Sequence, residues 1–162
     1  MSGEPPALRP AEPRDAAGIH QIEELSFASP WSLESFLSLI RSSGVEVWVA
    51  EGTGGGIWGY SVWWTVAGEA ELANLAVHPE HRGTGLGGRL LDAALVGMAE
   101  RGGRVAFLEV RESNAEARAL YESREFQVIA TRPAYYTRPV EDALIMSKAL
   151  SGNVDSPNGK QM

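Results

Sequence analysis

The chain of 162 residues is 44% hydrophobic and 22% charged, a composition that suits one folded domain rather than a disordered segment. Its formal net charge of −7 opposes general binding to phosphate backbones, so no nucleic-acid partner is expected, while a cationic protein or peptide substrate is compatible with it. Cysteine is absent, which excludes a disulfide framework, a thiolate nucleophile and any cysteine-ligated metal. No apolar run approaches the roughly 20 residues that span a bilayer, and the stretch from Met1 to Pro13 lacks the apolar core of a secretory signal. The expectation is a cytoplasmic protein with no membrane partner, monomeric or weakly dimeric.

Leu8 begins a short strand. Asp15 to Ser26 reads as a helix, with Ala16, Ile19, Ile22 and Glu23 at helical spacing. Pro30 breaks the chain, and Ser32 is a good N-cap for a second helix reaching about Arg41. Val45, Val47 and Val49 alternate as in a strand, and Gly52 to Gly56 is a hairpin connection. Ile57 to Val66 makes the next strand, and Gly68 turns the chain into another, Glu69 to Val77. Leu86, Leu90, Leu91, Ala94, Leu95 and Met98 form the apolar stripe of a longer helix, which Gly102-Gly103 stops.

Val105 to Val110 is a compact strand, and Ser113-Asn114-Ala115-Glu116 reads as a capping box opening another helix. Gln127 to Thr131 and Ala143 to Ala149 are the last two strands. Trp48, Trp58, Trp63 and Trp64 read as sheet-face packing. The tail from Ser151 to Met162 is polar and turn-rich and reads as disordered, which leaves residues 1–150 as a single domain. The order is mostly β first, then strand–helix–strand. The fold class is therefore α/β (mixed α+β), a central sheet flanked by helices on both faces.

The segment Val77-His78-Pro79-Glu80-His81-Arg82-Gly83-Thr84-Gly85-Leu86-Gly87-Gly88 follows a strand and runs into a helix. Free N–H groups and the positive dipole end at a helix start attract anions, and glycines let a phosphate approach the backbone closely. A P-loop would need Gly-Lys-Ser/Thr, and Gly88 is followed by Arg89-Leu90. The spacing Gly83-x-Gly85-x-x-Gly88, with Glu109 about 20 residues on, also fits a Rossmann fingerprint. Against that, His78 to Arg82 separate the glycines from the strand, and the chain after Gly88 is short for a full dinucleotide fold. His78 and His81 flank Pro79-Glu80 with no further ligand pattern, so no metal is expected.

Arg82-x-x-Gly85-x-Gly87 resembles the pyrophosphate motif of the GNAT N-acetyltransferase superfamily, and Asn74-Leu75-Ala76-Val77-His78-Pro79 resembles its fourth strand. Leu108-Glu109-Val110-Arg111-Glu112-Ser113-Asn114, followed by Ala119-Leu120-Tyr121-Glu122-Ser123, is similar to the bacterial ribosomal-protein-alanine N-acetyltransferases. Phe27 with Pro30-Trp31-Ser32, and Tyr135-Tyr136 with Glu141-Asp142-Ala143, fit that subgroup too. The resemblance covers roughly residues 8 to 150 and implies the GNAT fold, with a mixed, mostly antiparallel sheet. It implies acetyl-CoA as acetyl donor, no metal, and a protein N-terminus as acceptor, the alanine of a small-subunit ribosomal protein. Where the family carries Leu-Gly-Phe this chain has Arg124-Glu125-Phe126; a left-handed backbone at 125 would then cost about 1 kcal/mol. The segment between Tyr136 and Glu141 is shorter than the family's.

Acetyl transfer to an amine needs a deprotonated amine, a polarised thioester carbonyl and a proton for the departing thiolate. Glu109 shares a strand face with Val105 and Phe107, where apolar surroundings would raise its pKa to suit a base; the pattern reads equally as an ion-paired glutamate with Arg111. Tyr121 by pattern is a core residue in a stripe with Ala117 and Leu120. The resemblance implies that Glu109 accepts the amine's proton and that Tyr121 donates one to the thiolate. It also implies that Arg82, Gly83, Thr84, Gly85, Leu86, Gly87 and Gly88 hold the pyrophosphate and that Asn114 contacts the coenzyme. The backbone of Leu75, Ala76 and Val77 would pair with the pantetheine arm, and Trp31, Tyr135 and Tyr136 would line the peptide groove. Two other readings stay open: a lysine or small-molecule acceptor, and a coenzyme-binding regulatory module without turnover.

Overall fold

The computed structural model describes residues 3–150; the tail expected from Ser151 lies outside the described residues. Seven strands and four α-helices are formed: β1 (Ala7–Pro10), α1 (Ala16–Ser26), α2 (Leu33–Arg41), β2 (Val45–Glu51), β3 (Ile57–Val66), β4 (Glu69–Val77), α3 (Leu86–Glu100), β5 (Val105–Arg111), α4 (Ala115–Ser123), β6 (Gln127–Tyr136) and β7 (Glu141–Ala149). The strands hydrogen-bond in the order β1-β2-β3-β4-β5-β7-β6. The sheet is mixed: β1/β2, β5/β7 and β6/β7 are antiparallel, and β4/β5 is parallel. A parallel pair needs a long crossover, and α3 supplies it. Among the described residues no helix is long and apolar enough to cross a membrane.

The described residues divide into two compact units, residues 3–63 with 74–93 and residues 64–73 with 94–150. In the first, Arg9 forks onto both oxygens of buried Asp15 at 2.8 and 2.9 Å and reaches Glu51 at 2.7 Å. Asp15 also accepts from the Glu12 N–H at 2.7 Å, which fixes the entry to α1. Ser32 caps α2 as its sequence predicts, its hydroxyl accepting from the Ser35 N–H at 3.1 Å. The start of α3 docks through Leu86 and Leu90 on Ala50, Leu8, Trp58, Leu75 and Val77. Gly59 permits that approach, because a Cβ there would lie 2.9 Å from Leu90 and 3.1 Å from the Ala76 carbonyl.

In the second unit, β5 alternates buried Ala106, Leu108 and Val110 with half-exposed Val105, Phe107, Glu109 and Arg111. Buried Ala143, Leu144 and Met146 of β7, Met98 of α3 and Phe126 complete its apolar interior. Both helices that end here close with the same motif. At α3, Gly102 is left-handed (φ 85°), its N–H bonds the Ala99 carbonyl, and Gly103 bonds that of Met98. At α4, Glu125 is left-handed (φ 73°), its N–H bonds the Glu122 carbonyl, and Phe126 bonds that of Tyr121. This is a Schellman cap, whose left-handed position favours glycine; α4 builds it on a glutamate.

Two local expectations change. The helix α4 is capped by Asn114, whose side-chain oxygen accepts from the Ala117 N–H at 3.1 Å, rather than by a box of Ser113 and Glu116. The Ser113 N–H is drawn instead to the Glu141 carboxylate. The strand β6 runs past Thr131 to Tyr136, with register shifts after Val128 and Arg132. The positive φ at Ala134, of 50°, is held by a 2.8 Å bond from its N–H to Asp142.

Candidate active site

The glycine loop belongs to the first unit. Gly83 and Gly85 have φ of 76° and 84°, and a Cβ added to either would meet no atom within 4 Å. The first bond into α3 runs from the Arg89 N–H to the Gly85 carbonyl, at 3.1 Å. Among the described residues the backbone N–H groups of residues 83–88 find no acceptor. A run of unpartnered N–H groups at a helix start, with open space in front of two glycines, fits a diphosphate. The loop is braced from behind. Arg82 donates to the Val77 carbonyl at 2.9 Å and to Ser26 at 3.1 Å, and Thr84 bonds the His81 carbonyl at 2.8 Å.

The two loop histidines serve the same framework. His78 accepts from the Glu80 N–H at 3.1 Å, and His81 stacks on Trp58 with centroids 3.8 Å apart. Trp31 of the same unit is half-buried, with its ring against Phe36 at 5.6 Å. The Trp31 backbone N–H donates at 2.9 Å to Glu23, a carboxylate only 1% exposed. Glu23 also accepts from the Tyr60 hydroxyl and, at 2.8 Å, from Asn74. Burial pushes its carboxyl above the ordinary value, and the three donors oppose that shift.

The strand β4 pairs with β5 through Glu69, Ala70 and Glu71 alone, opposite Val105, Ala106 and Phe107. It nevertheless continues to Val77. The backbone of Leu75, Ala76 and Val77 therefore lies on a stretch of β4 past its last β5 partner.

The remaining predicted residues lie in the second unit. Glu109 is half-buried and faces Arg132, with Oε2 3.3 Å from Nη1. The Tyr135 phenol is lifted above its ordinary value, first by hydrogen-bonding interaction with the Glu109 carboxylate and then by that carboxylate's charge. The Tyr135 and Tyr136 rings meet edge to face at 5.0 Å, with Arg132 over the first ring and Arg111 over the second. Burial, and then the Glu109 charge, push Tyr136 up to about 12. Tyr121, on the last turn of α4, is also pushed up to about 12, first by burial and then by Tyr136. The structure thus links Glu109, Tyr135, Tyr136 and Tyr121 electrostatically. Asn114 stands on the segment that Glu141 ties down.

The surroundings of Glu109 are charged and phenolic, where the strand pattern suggested apolar ones. Its ion-pair partner is Arg132, and Arg111 is engaged elsewhere. Arg111 reaches Glu141 at 3.2 Å and the carbonyls of Thr137 and Pro139 at 2.8 and 3.1 Å, bracing the chain after Tyr136. The Tyr121 phenol is a weaker acid than an ordinary tyrosine, so its proton is held over the whole physiological range.

Sequence reasoning missed Arg132, Glu71 and Glu23. Glu71 and Arg132 reach Glu109 through strand register, which no local pattern carries. For Glu23 a signal existed: a glutamate on the apolar stripe of α1, where a charge needs partners.

The Acetyltransferase (GNAT) family matches residues 16–126. The [ribosomal protein bS18]-alanine N-acetyltransferase of Escherichia coli (strain K12) is 35% identical over 142 residues, covering 86% of this chain and 95% of that protein. A Bacillus subtilis (strain 168) relative, named provisionally for the same reaction, is 36% identical over 140 residues, 86% of this chain and 93% of its own. The crystal structure of the ribosomal-protein-S18-alanine N-acetyltransferase from Escherichia coli superposes with a TM-score of 0.83 at 33% identity, over 92% of this chain and 96% of that one.

Proposed function

This chain belongs to the acetyltransferase (GNAT) family, and on that premise we propose that it moves the acetyl group of acetyl-CoA onto the α-amino group of a protein N-terminus. The acceptor we propose is the N-terminal alanine of a small-subunit ribosomal protein, in line with the names of its curated relatives. What supports the chemistry is the neighbourhood of Glu109, which pairs with Arg132 and whose charge acts on Tyr135 and Tyr136, while Tyr136 in turn acts on buried Tyr121. A proton acceptor and a proton reservoir are what amide formation from a thioester requires.

When bound, acetyl-CoA supplies an acyl group already activated as a thioester. The N–H groups of Gly83 to Gly88 hold its diphosphate, and Arg82 keeps the loop fixed to Val77 and Ser26. The backbone of Leu75, Ala76 and Val77 pairs with the pantetheine arm as an added strand would. Asn114 spends its side-chain oxygen on the Ala117 N–H, which leaves its amide N–H₂ for the coenzyme.

An α-amino group has a pKa near 8, so a modest base suffices. Glu109 takes the proton the amine sheds as its nitrogen bonds to the acyl carbon, in one direct displacement; with no cysteine in the chain no acyl-cysteine is formed. Tyr121, protonated at every physiological pH, donates to the departing sulfur. Trp31, Tyr135 and Tyr136 contact the peptide.

Incubating an alanine-initiated peptide with acetyl-CoA and the protein, followed by mass spectrometry, tests this. A single acetyl on the N-terminal nitrogen, lost when the peptide is N-blocked, is expected. Modification confined to internal lysines would defeat the N-terminal reading, and coenzyme binding without any transfer would leave a regulatory module.

A further inference from the structure

Glu71 stands opposite Phe107 at the last pair that joins β4 to β5. Side chains of directly opposed residues share a face, and the next residue on that face of β5 is Glu109. On the far side, Arg111 is in register with Ala143, and Ala143 with Arg132. Glu71 and Arg132 therefore flank Glu109 along one face of the sheet. Arg132 pairs with Glu109 at 3.3 Å. Glu71 makes no hydrogen bond and no ion pair among the described residues, although it feels the charges of both Glu109 and Arg132.

Two carboxylates facing one guanidinium leave a net negative charge on this face. Desolvation and then the repulsion of Glu109 raise the Glu71 carboxyl above its ordinary value, with Arg132 opposing them, although the residue as a whole is exposed. The acceptor of this reaction arrives as a monocation, since an α-amine with a pKa near 8 is mostly protonated at neutral pH.

We propose that Glu71 is a substrate-binding residue that pairs with the protonated α-amine of the acceptor and delivers it to Glu109. The proposal rests on the reading of the site given above. It assigns Glu71 a share in affinity for the charged amine, which releases one proton to water before it attacks; the proton shed as the C–N bond forms goes to Glu109, and Tyr121 protonates the sulfur as the C–S bond breaks.

The test is Glu71→Gln, compared with the intact wild type in steady-state kinetics and in calorimetry with CoA present. Two probes are used: an alanine-initiated peptide, and the same peptide lacking its α-amino group. The acceptor KM should rise about two- to fivefold, the scale of an exposed ion pair, with kcat within twofold and coenzyme affinity unchanged. Wild type should bind the free-amine peptide more tightly than the des-amino one below pH 8, and Glu71→Gln should erase that difference. Glu71→Asp should restore part of it. A fall in kcat at unchanged KM, or an affinity difference that survives Glu71→Gln, would overturn the proposal while peptide acetylation by the wild type stands. A wild type that acetylates no peptide N-terminus would sink the underlying reading instead.

Discussion

Replacing Glu125 with glycine should make the protein more stable without changing its chemistry. Glu125 occupies the left-handed position of the cap that closes α4, at φ 73°. The equivalent position at the end of α3 is Gly102, at φ 85° with the same two hydrogen bonds. A side chain in that conformation costs about 1–2 kcal/mol, because Cβ crowds the following carbonyl. Against the relief stand two losses. The side chain is 86% exposed, and its contact with Lys148 at 3.6 Å is a surface ion pair worth a few tenths of a kcal/mol. Glycine also loosens the unfolded chain, by about 0.4–1 kcal/mol. The balance is a gain of about 0.5 kcal/mol, or about 1–2 °C in Tm for a chain of this size. Thermal unfolding of Glu125→Gly beside Glu125→Ala reads it directly, because alanine removes the carboxylate and keeps the strain. A glycine variant no more stable than the alanine one would refute the reasoning. Phe126 bonds the Tyr121 carbonyl through this cap and packs its ring 5.9 Å from the tyrosine's, so kcat should stay within twofold.

Three further substitutions probe other parts of the structure. Glu109→Gln should slow transfer by about 100-fold or more while coenzyme binding by calorimetry stays as in the wild type. Gly85→Ala puts a methyl into open space, at a left-handed backbone position with φ 84°; it should cost about 1 kcal/mol in stability and at least tenfold in coenzyme affinity, an order-of-magnitude expectation for backbone forced off a phosphate. Asp15→Asn breaks the fork from Arg9 and should cost about 2 kcal/mol in denaturant unfolding. Arg9 holds the Asp15 carboxyl below its ordinary value, so its contribution is full above the unfolded aspartate range near pH 4 and fades as pH falls through the lowered native value. The gap between wild type and Asp15→Asn should therefore narrow in acid.

Much of the fold was legible because its signals are local. The alternating valines of β2, the Ser32 cap, the glycines that end α3 and the apolar stripe of that helix each depend on residues within a turn or two. The misreadings occur where a distant residue decides. Ser113 looked like a cap, yet Glu141, 28 residues on, takes its N–H and leaves capping to Asn114. The strand expected from Gln127 to Thr131 runs on to Tyr136. The bond from the Ala134 N–H to Asp142 carries β6 on to Tyr136, and so sets where the two tyrosines fall.

The site divides along the same line. Residues 82–88 form a contiguous motif, and its left-handed glycines and helix start could be read from neighbouring residues alone. Glu109 was legible as a residue but not as an environment. Its neighbours come from positions 71, 132 and 135, on two other strands, and they meet only because β4, β5, β7 and β6 pair in one register. A slip of one residue in β6 would turn Arg132 to the other face and leave two carboxylates facing each other without a guanidinium. The charge balance around Glu109 is thus a property of the sheet, which the Ala134 and Ser113 N–H groups help to fix by donating to Asp142 and Glu141.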